Sequence, residues 1–96
     1  MYSSTMKFRI TRHSTSSPPD DALDRLSERL GTRREEVFFA ARGSEIRATL
    51  RAETPVAMTS DERTEIGRRA VLDVVKEVCE RVPDLKFDWF AVGPAA

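Results

Sequence analysis

Two short apolar segments around a glycine-containing turn constrain the fold of this chain more than any other feature of its sequence. Residues 37–42 and 45–52 flank Gly43 and Ser44, which suit the two-residue turn of a β-hairpin. The register set by that turn makes three facing pairs apolar: Ala41 with Ile46, Phe39 with Ala48, and Val37 with Leu50. Both strands therefore bury the same face, and a slip of one residue would destroy this agreement.

A strand and a helix are predicted before the hairpin. Residues 6–12 alternate apolar and polar side chains, which is typical of a strand with one buried face. After a polar loop, Ser17 and Pro18 resemble a helix start in which Ser17 is the capping residue. The helix should end at Gly31, and its apolar residues lie at helical spacing: Ala22, Leu23, Leu26 and Leu30.

A second helix is predicted after the hairpin. Thr59 and Glu62 have the spacing of a capping box, which opens a helix. Gly67 lies inside this helix, where glycine costs about 1 kcal/mol relative to alanine, so we expect another element to pack closely against it. The predicted buried stripe comprises Ile66, Ala70, Val71, Val74, Val75, Val78, Cys79 and Val82.

A last strand is predicted over residues 86–92. Because Lys86 and Asp88 should face water, strand alternation places Phe90 and Val92 on the same outer face. The remaining side chains of this strand should then face the core: Phe87, Trp89 and Ala91.

These elements favour a single α+β domain over residues 6–92. Each helix has one apolar stripe and each strand one apolar face, so two helices on one face of a four-stranded antiparallel sheet bury them all. With right-handed crossovers, the order becomes the ferredoxin-like β-α-β-β-α-β arrangement, which supports many unrelated functions. Residues 1–5 and 93–96 lack these patterns and are predicted to be a disordered extension and a tail.

The composition argues against several classes of function. Sixteen basic residues balance sixteen acidic ones, which disfavours binding to nucleic acid or an anionic membrane through bulk charge. The single cysteine, Cys79, lies on an apolar helix face, and with one histidine in the chain no metal site or cofactor is predicted. No segment has the length and apolar character of a secretory signal or a membrane span, so a cytoplasmic protein is expected.

The sheet face that the helices leave uncovered is the first candidate for a working surface. Its residues should include Arg9 and Arg47 beside four outward apolar side chains: Phe38, Ala40, Phe90 and Val92. Exposed apolar side chains on an open sheet favour burial by a second copy of the chain. The sequence therefore predicts a non-catalytic binding or assembly module that forms a homodimer, or binds another protein, through this face. A solvated face with local ion pairs is the plainer alternative.

The loop between the first strand and the first helix is the second candidate site. Arg12, His13 and Ser14 precede a helix N-terminus, whose free amides and dipole attract anions. We expect Arg63 of the second helix to complete this site, and His13 to be able to act as an acid or a base near neutral pH. A small enzyme or a phosphate-binding protein is thus the alternative function, although a stretch rich in serine and proline is also typical of a linker.

Binding of RNA or single-stranded DNA to the sheet is a further alternative. Arginines beside outward aromatic side chains can neutralise phosphates and stack on bases. The predicted central strands have no outward aromatic residue and the net charge is zero, so nucleic acid is the less favoured partner. No set of catalytic residues is predicted, which favours binding over catalysis.

Overall fold

The computed structural model describes residues 2–95 and contains two helices and an open five-stranded antiparallel sheet. The strands are β1 (Tyr2–Arg12), β2 (Arg33–Arg34), β3 (Val37–Arg42), β4 (Glu45–Thr54) and β5 (Phe90–Pro94). The helices are α1 (Ala22–Leu30) and α2 (Ser60–Arg81), and one turn of 3-10 helix (Phe87–Trp89) precedes β5. Across the sheet the strand order is β2-β3-β4-β1-β5.

The hairpin of β3 and β4 forms in the predicted register. Gly43 adopts a φ of 62° in the turn, a conformation that glycine tolerates at little cost. The three predicted apolar pairs are all present, Ala41 with Ile46, Phe39 with Ala48, and Val37 with Leu50, and Arg42 faces Glu45 next to the turn. The agreement of the apolar faces therefore identified both the pairing and the buried side of these strands.

One face of the sheet and both helices enclose a single core. Strands β1, β3 and β4 contribute their alternate residues, and each helix contributes its apolar stripe. Burying one large apolar side chain stabilises the fold by about 1.5–3 kcal/mol, so these contacts dominate its stability. The largest fully buried side chains are Phe8, Ile10, Leu26, Ile46, Val71 and Val75.

Helix α2 begins with the predicted capping box and packs closely against β1. The Thr59 hydroxyl accepts a hydrogen bond from the Glu62 amide at 3.2 Å, and the Glu62 carboxylate accepts one from the Thr59 amide at 3.3 Å. A Cβ atom at Gly67 would lie 2.8 Å from Cε of Met6 and 2.9 Å from Cζ of Phe8. Glycine is therefore needed at this point of contact, as its position within the helix predicts.

The ends of the sheet extend further than the sequence predicts. Strand β1 begins at Tyr2, and its first residues pair with the end of β4, which is long enough to supply them with backbone partners. The predicted disordered extension is therefore wrong for residues 2–5, and Met1 lies outside the described residues.

At the C-terminal end, Gly93 and Pro94 belong to β5, and the Ala95 amide donates to the Lys7 carbonyl at 3.0 Å. Gly93 and Pro94 of the predicted tail are thus part of the sheet, and Ala96 lies outside the described residues.

Two further elements differ from the prediction. Strand β2 adds a fifth strand, which is only two residues long and so leaves no periodic pattern in the sequence. Helix α1 begins at Ala22 instead of close to Ser17, which has a φ of 47°. A capping residue has an extended backbone, so Ser17 cannot cap the helix at that φ, which explains the later start.

The last strand presents the opposite face to the one predicted. The 3-10 turn has three residues per turn, so the two-residue alternation assumed from Lys86 onwards does not carry through to β5. Phe90 is buried with 5% of its surface exposed, and Val92 packs against the core. Their predicted outward orientation is therefore wrong. Two residues predicted to be buried are exposed instead: Phe87 at 36% and Ile66 of α2 at 44%.

Candidate functional site

The sheet face turned away from the helices is the largest candidate surface, and we call it the open face. Because directly paired residues of neighbouring strands point to the same side, the strand register defines its members. They are Ser3, Thr5, Lys7, Arg9 and Thr11 of β1, Arg33 of β2, Phe38, Ala40 and Arg42 of β3, Glu45, Arg47, Thr49, Arg51 and Glu53 of β4, and Ala91 and Gly93 of β5.

Positive charge collects on the open face although the whole chain is neutral. Six residues of this face are cationic and two are carboxylates, which leaves it with four net positive charges. The other ten cations and fourteen carboxylates of the chain leave four net negative charges on the rest of the protein. The cations of the open face are Lys7, Arg9, Arg33, Arg42, Arg47 and Arg51, and its carboxylates are Glu45 and Glu53.

Two of these arginines face each other on the central strands. Arg9 and Arg47 are direct cross-strand partners, a placement that destabilises a sheet because like charges meet on one face. Arg47 is compensated by Glu45, whose Oε2 atom lies 2.5 Å from its Nε atom in an ion pair. Within residues 2–95, Arg9 forms no ion pair, so an uncompensated positive charge remains at the centre of the open face.

An exposed aromatic ring lies at one side of this charged surface. Phe38 is 52% exposed, and the guanidinium carbon of Arg33 lies 5.0 Å from the centre of its ring. A cation at that distance interacts with the ring face, worth about 0.5–1 kcal/mol at an exposed site. Phe38 and Arg33 thus form a cation–π pair on the open face, to the side of the cations on the central strands.

The predicted interface residues divide into two groups. Arg9, Phe38, Ala40 and Arg47 lie together on the open face, as the hairpin register and the alternation of β1 predict. The other two, Phe90 and Val92, lie on the core side of the sheet for the reason given above. The prediction also omitted Arg33 and Arg42. Arg42 could have been found from the hairpin register, whereas Arg33 lies on a strand too short to leave a signal.

The loop that follows β1 lines a surface pocket of about 440 Å³. Arg12, His13 and Ser14 all border this pocket, together with Ser44 of the β3–β4 turn. Three of the four residues predicted to bind an anion therefore border one cavity, and their role stays a prediction.

Hydrogen bonds hold this loop against the segment that precedes β5. The His13 amide donates to the Trp89 carbonyl at 2.7 Å, and the Ser16 hydroxyl donates to the Asp88 carbonyl at 2.6 Å. The Thr15 amide donates to Nδ1 of His13 at 3.3 Å, and the Thr15 hydroxyl lies 2.7 Å from the same nitrogen. The expectation of an unstructured linker is therefore not met by this loop.

Arg63 lies at the opposite end of the molecule from this pocket. Helix α2 follows β4, whose last residue Thr54 faces Tyr2, so the helix begins beside the start of β1. The pocket lies beyond the other end of β1, and eleven residues of strand span roughly 35 Å. Arg63 therefore cannot complete the predicted site; its guanidinium instead donates to the Met58 carbonyl.

Negative charge surrounds the start of α1 beside the pocket. Asp20, Asp21 and Asp24 all lie in or just before the first turn of this helix, and Asp20 also pairs with Arg12 at 3.1 Å. These carboxylates already interact favourably with the positive end of the helix dipole. They oppose the entry of an anion, so the pocket lacks the electrostatics of the predicted phosphate site.

Arg68 and Arg69 of α2, unlike Arg9 of the open face, pair with a carboxylate of their own helix. Arg68 and Arg69 both donate to the Glu65 carboxylate, from Nη2 at 2.6 Å and from Nε at 3.2 Å respectively. These bonds lower the pKa of Glu65 from 4.5 to about 2, and the same pairing raises the pKa of Arg68. The cluster follows helical spacing and has a structural explanation without any ligand.

Cys79 is a core residue, as its position on α2 predicts. It is 8% exposed, and removal from water raises the pKa of its thiol to about 11. Residues 2–95 contain no cluster of three or more histidine, cysteine, aspartate or glutamate side chains placed to hold a metal ion. None of the helices described for this chain is long and apolar enough to cross a membrane.

Comparison of the chain with known protein families, with curated proteins and with solved structures finds no match in any of the three.

Proposed function

We propose that this chain is a binding module whose working surface is the open face and whose partner is an anionic macromolecule. The observation that carries the proposal is the separation of charge, with four net positive charges on the open face and four net negative charges elsewhere. Such a separation attracts and orients an anionic partner toward one surface, even in a protein of zero net charge.

The facing arginines on the central strands support the same proposal. Arg9 opposite Arg47 reduces the stability of the sheet in the free protein, and a hydrophobic or neutral residue would avoid that loss. An anion bound between them would turn the repulsion into two favourable charge-assisted contacts. Arginine suits this role better than lysine because its planar guanidinium forms two parallel hydrogen bonds to a carboxylate or a phosphate.

The strand order supports a ferredoxin-like arrangement as part of this proposal. Without the two-residue β2, the sheet has the order β3-β4-β1-β5, with α1 after β1 and α2 after β4. Both helices then cover one face of the sheet and leave the open face free for a partner. The fold supplies a flat platform, and the side chains on it determine what binds.

Self-association through the open face remains the alternative prediction, with weaker support. Phe90 and Val92, two of the four apolar side chains that favoured it, are directed to the core. A face-to-face dimer would also bring together two surfaces of like charge, which is unfavourable unless each cation finds a carboxylate. Light scattering over a concentration series tests this alternative, and a dimer that Phe38→Glu dissociates would support it.

Retention on a heparin column tests the proposed function. The double variant Lys7→Gln/Arg9→Gln removes two cations from the open face, and its matched control Arg29→Gln/Lys76→Gln removes two exposed cations from the helices. We expect the wild-type protein to be retained, the first variant to elute at clearly lower salt, and the control to elute close to wild type. Equal shifts of the two variants, or no retention of the wild type, would overturn the proposal.

A further inference from the structure

We infer that the anionic partner of the open face is a single strand of nucleic acid, with its phosphates on the central cations and one base stacked on Phe38. The inference rests on the proposed binding function and adds the chemical class of the partner. Two features carry it: a row of cations that follows the two central strands, and an exposed aromatic ring at the side of that row.

The cations are spaced along neighbouring strands as an extended polyanion requires. Lys7 and Arg9 occupy successive outward positions of β1, about 7 Å apart along the strand. Arg47 lies directly across from Arg9 on β4, and Arg51 lies two outward positions further along that strand. A single strand of nucleic acid lying along β1 and β4 would therefore meet a positive charge at each outward residue pair: Arg9 with Arg47, Lys7 with Thr49, and Thr5 with Arg51. The guanidinium groups can each donate two parallel hydrogen bonds to phosphate oxygens.

The exposed ring distinguishes nucleic acid from other anionic partners. Phe38 is 52% exposed although Arg33 lies over one side of its ring, which leaves flat apolar surface next to the cations. A nucleic acid base can stack on such a ring, and Arg33, 5.0 Å from the ring centre, can contact the same base or its phosphate. A peptide made acidic by aspartate and glutamate alone, or an anionic membrane, would use the cations but has no aromatic group to stack on Phe38.

A single strand fits this surface better than a duplex. In a duplex the bases are stacked inside the helix, so a ring on a flat sheet cannot reach their faces without opening the stack. Unpaired bases can be splayed onto a sheet, as single-stranded RNA is on other open sheets. The ring therefore gives a preference for unpaired nucleotides over paired ones.

Fluorescence anisotropy with a labelled twelve-nucleotide oligouridine tests the inference. Four neutralised phosphates would give a slope of about −3 in a plot of log affinity against log salt, since each contributes about 0.7 on a single strand. Lys7→Gln/Arg9→Gln should reduce the size of that slope by about 1.4 for the same reason, while Arg29→Gln/Lys76→Gln should leave it unchanged.

Phe38→Leu tests the stacked base, because leucine retains apolar bulk but has no aromatic ring. We expect it to weaken binding about 5- to 150-fold, the range for loss of one stacked base. Phe87→Leu is its matched control, since Phe87 is an exposed aromatic residue outside the open face, and it should bind as the wild type does. Thermal melting of each variant verifies that it is folded before its affinity is compared.

Competition with a twelve-residue polyglutamate and with phosphatidylserine vesicles separates the two proposals. If polyglutamate or the vesicles displace the oligouridine at equal charge and Phe38→Leu binds normally, the partner is not nucleic acid although the open face still binds anions. If a duplex binds as tightly as the single strand, the stacking assignment is overturned. If the helix variant or Phe87→Leu loses binding instead, the site lies elsewhere. If no polyanion binds, the proposed function fails together with the inference.

Discussion

The arginines of the helices and the arginines of the open face are placed in opposite ways. On the helices each of several arginines lies three or four residues from a carboxylate and pairs with it: Arg25 with Asp21, Arg68 and Arg69 with Glu65, and Arg81 with Glu77. On the open face Arg9 lies opposite Arg47, and in residues 2–95 neither Arg9 nor Lys7 pairs with a carboxylate.

This difference indicates which charges are available to a partner. A helix pair contributes only about 0.3–0.5 kcal/mol, but its carboxylate offsets an arginine charge locally and so weakens the field there. The cations of the open face that have no carboxylate partner produce a positive potential at this surface. Their mutual repulsion also lowers the stability of the folded protein when no partner is bound. A count of charges in the sequence treats the two groups alike, whereas the structure separates them.

The largest expected effect is the difference in stability lost when a phenylalanine is removed from the core face of the sheet or from its open face. Phe8→Ala removes a side chain that is 1% exposed, and we expect it to lower the free energy of unfolding by about 3–5 kcal/mol. Phe38→Ala removes the same atoms from the open face, where the ring is 52% exposed, and should lower it by less than about 1 kcal/mol. Urea denaturation of both variants measures the difference, and similar losses would mean that the open face is covered in solution.

A smaller effect is expected where α2 touches β1. Gly67→Ala places a methyl group within 3 Å of Met6 and Phe8. Overpacking costs about 1–3 kcal/mol, and the better helix propensity of alanine returns about 1 kcal/mol, so a net loss of up to about 2 kcal/mol should appear in denaturation curves. Gly93→Ala is the control, because no atom lies within 4 Å of the added carbon, and it should be neutral or slightly stabilising. A stabilising Gly67→Ala would show that α2 stands further from the sheet.

The same charge reversal should have opposite effects on the two regions. Arg9→Glu replaces a repulsive cross-strand pair with an attractive one facing Arg47, and should raise the free energy of unfolding by about 0.2–1 kcal/mol at low salt. Arg29→Glu puts an acid in the last turn of α1, where the helix dipole disfavours it, and should lower the free energy by about 0.3–1 kcal/mol. Denaturation at low and at high salt measures both changes, which should shrink as salt rises. A destabilising Arg9→Glu would show that Arg9 is already compensated.

The smallest effect concerns the compensated arginines of α2. The bonds from Arg68 and Arg69 lower the pKa of Glu65 in the folded protein to about 2, below its ordinary value of 4.5. Because the folded pKa is the lower one, the stabilisation is complete above pH 4.5 and is lost as the pH falls toward 2. Glu65→Gln should remove this component, so its melting temperature should fall less steeply than that of the wild type over this range. The difference should be small because these groups are exposed to solvent, and parallel curves would contradict the pairing.

The sequence predicts the fold best where one pattern extends over many residues. The hairpin register follows from three apolar pairs that agree, and both helices follow from apolar stripes with a capping box or a terminal glycine. Strand β2, and which side chains of β5 point to the core, could not be predicted in this way. A two-residue strand has no period, and the single turn of 3-10 helix before Phe90 changes which side of the sheet receives it.

The candidate site was only partly predictable for a related reason. Arg9 and Arg47 could each be assigned to the open face from local alternation, but their direct opposition depends on how β1 pairs with β4, which are far apart in the chain. The separation of charge between the open face and the rest of the protein depends on every strand pairing at once. The equal totals in the sequence, sixteen charges of each sign, do not show it.

Amide chemical-shift mapping is the most direct test of the central claim that the open face binds an anionic partner. The full chain, labelled with ¹⁵N, would be titrated with the twelve-nucleotide oligouridine at low salt. We predict that the largest shift changes fall on the central strands and the neighbouring ring, at Lys7, Arg9, Arg47, Thr49 and Phe38, and that they diminish as salt is added. Largest changes in the loop of residues 12–17 or along α2, with β1 and β4 unaffected, would contradict the claim.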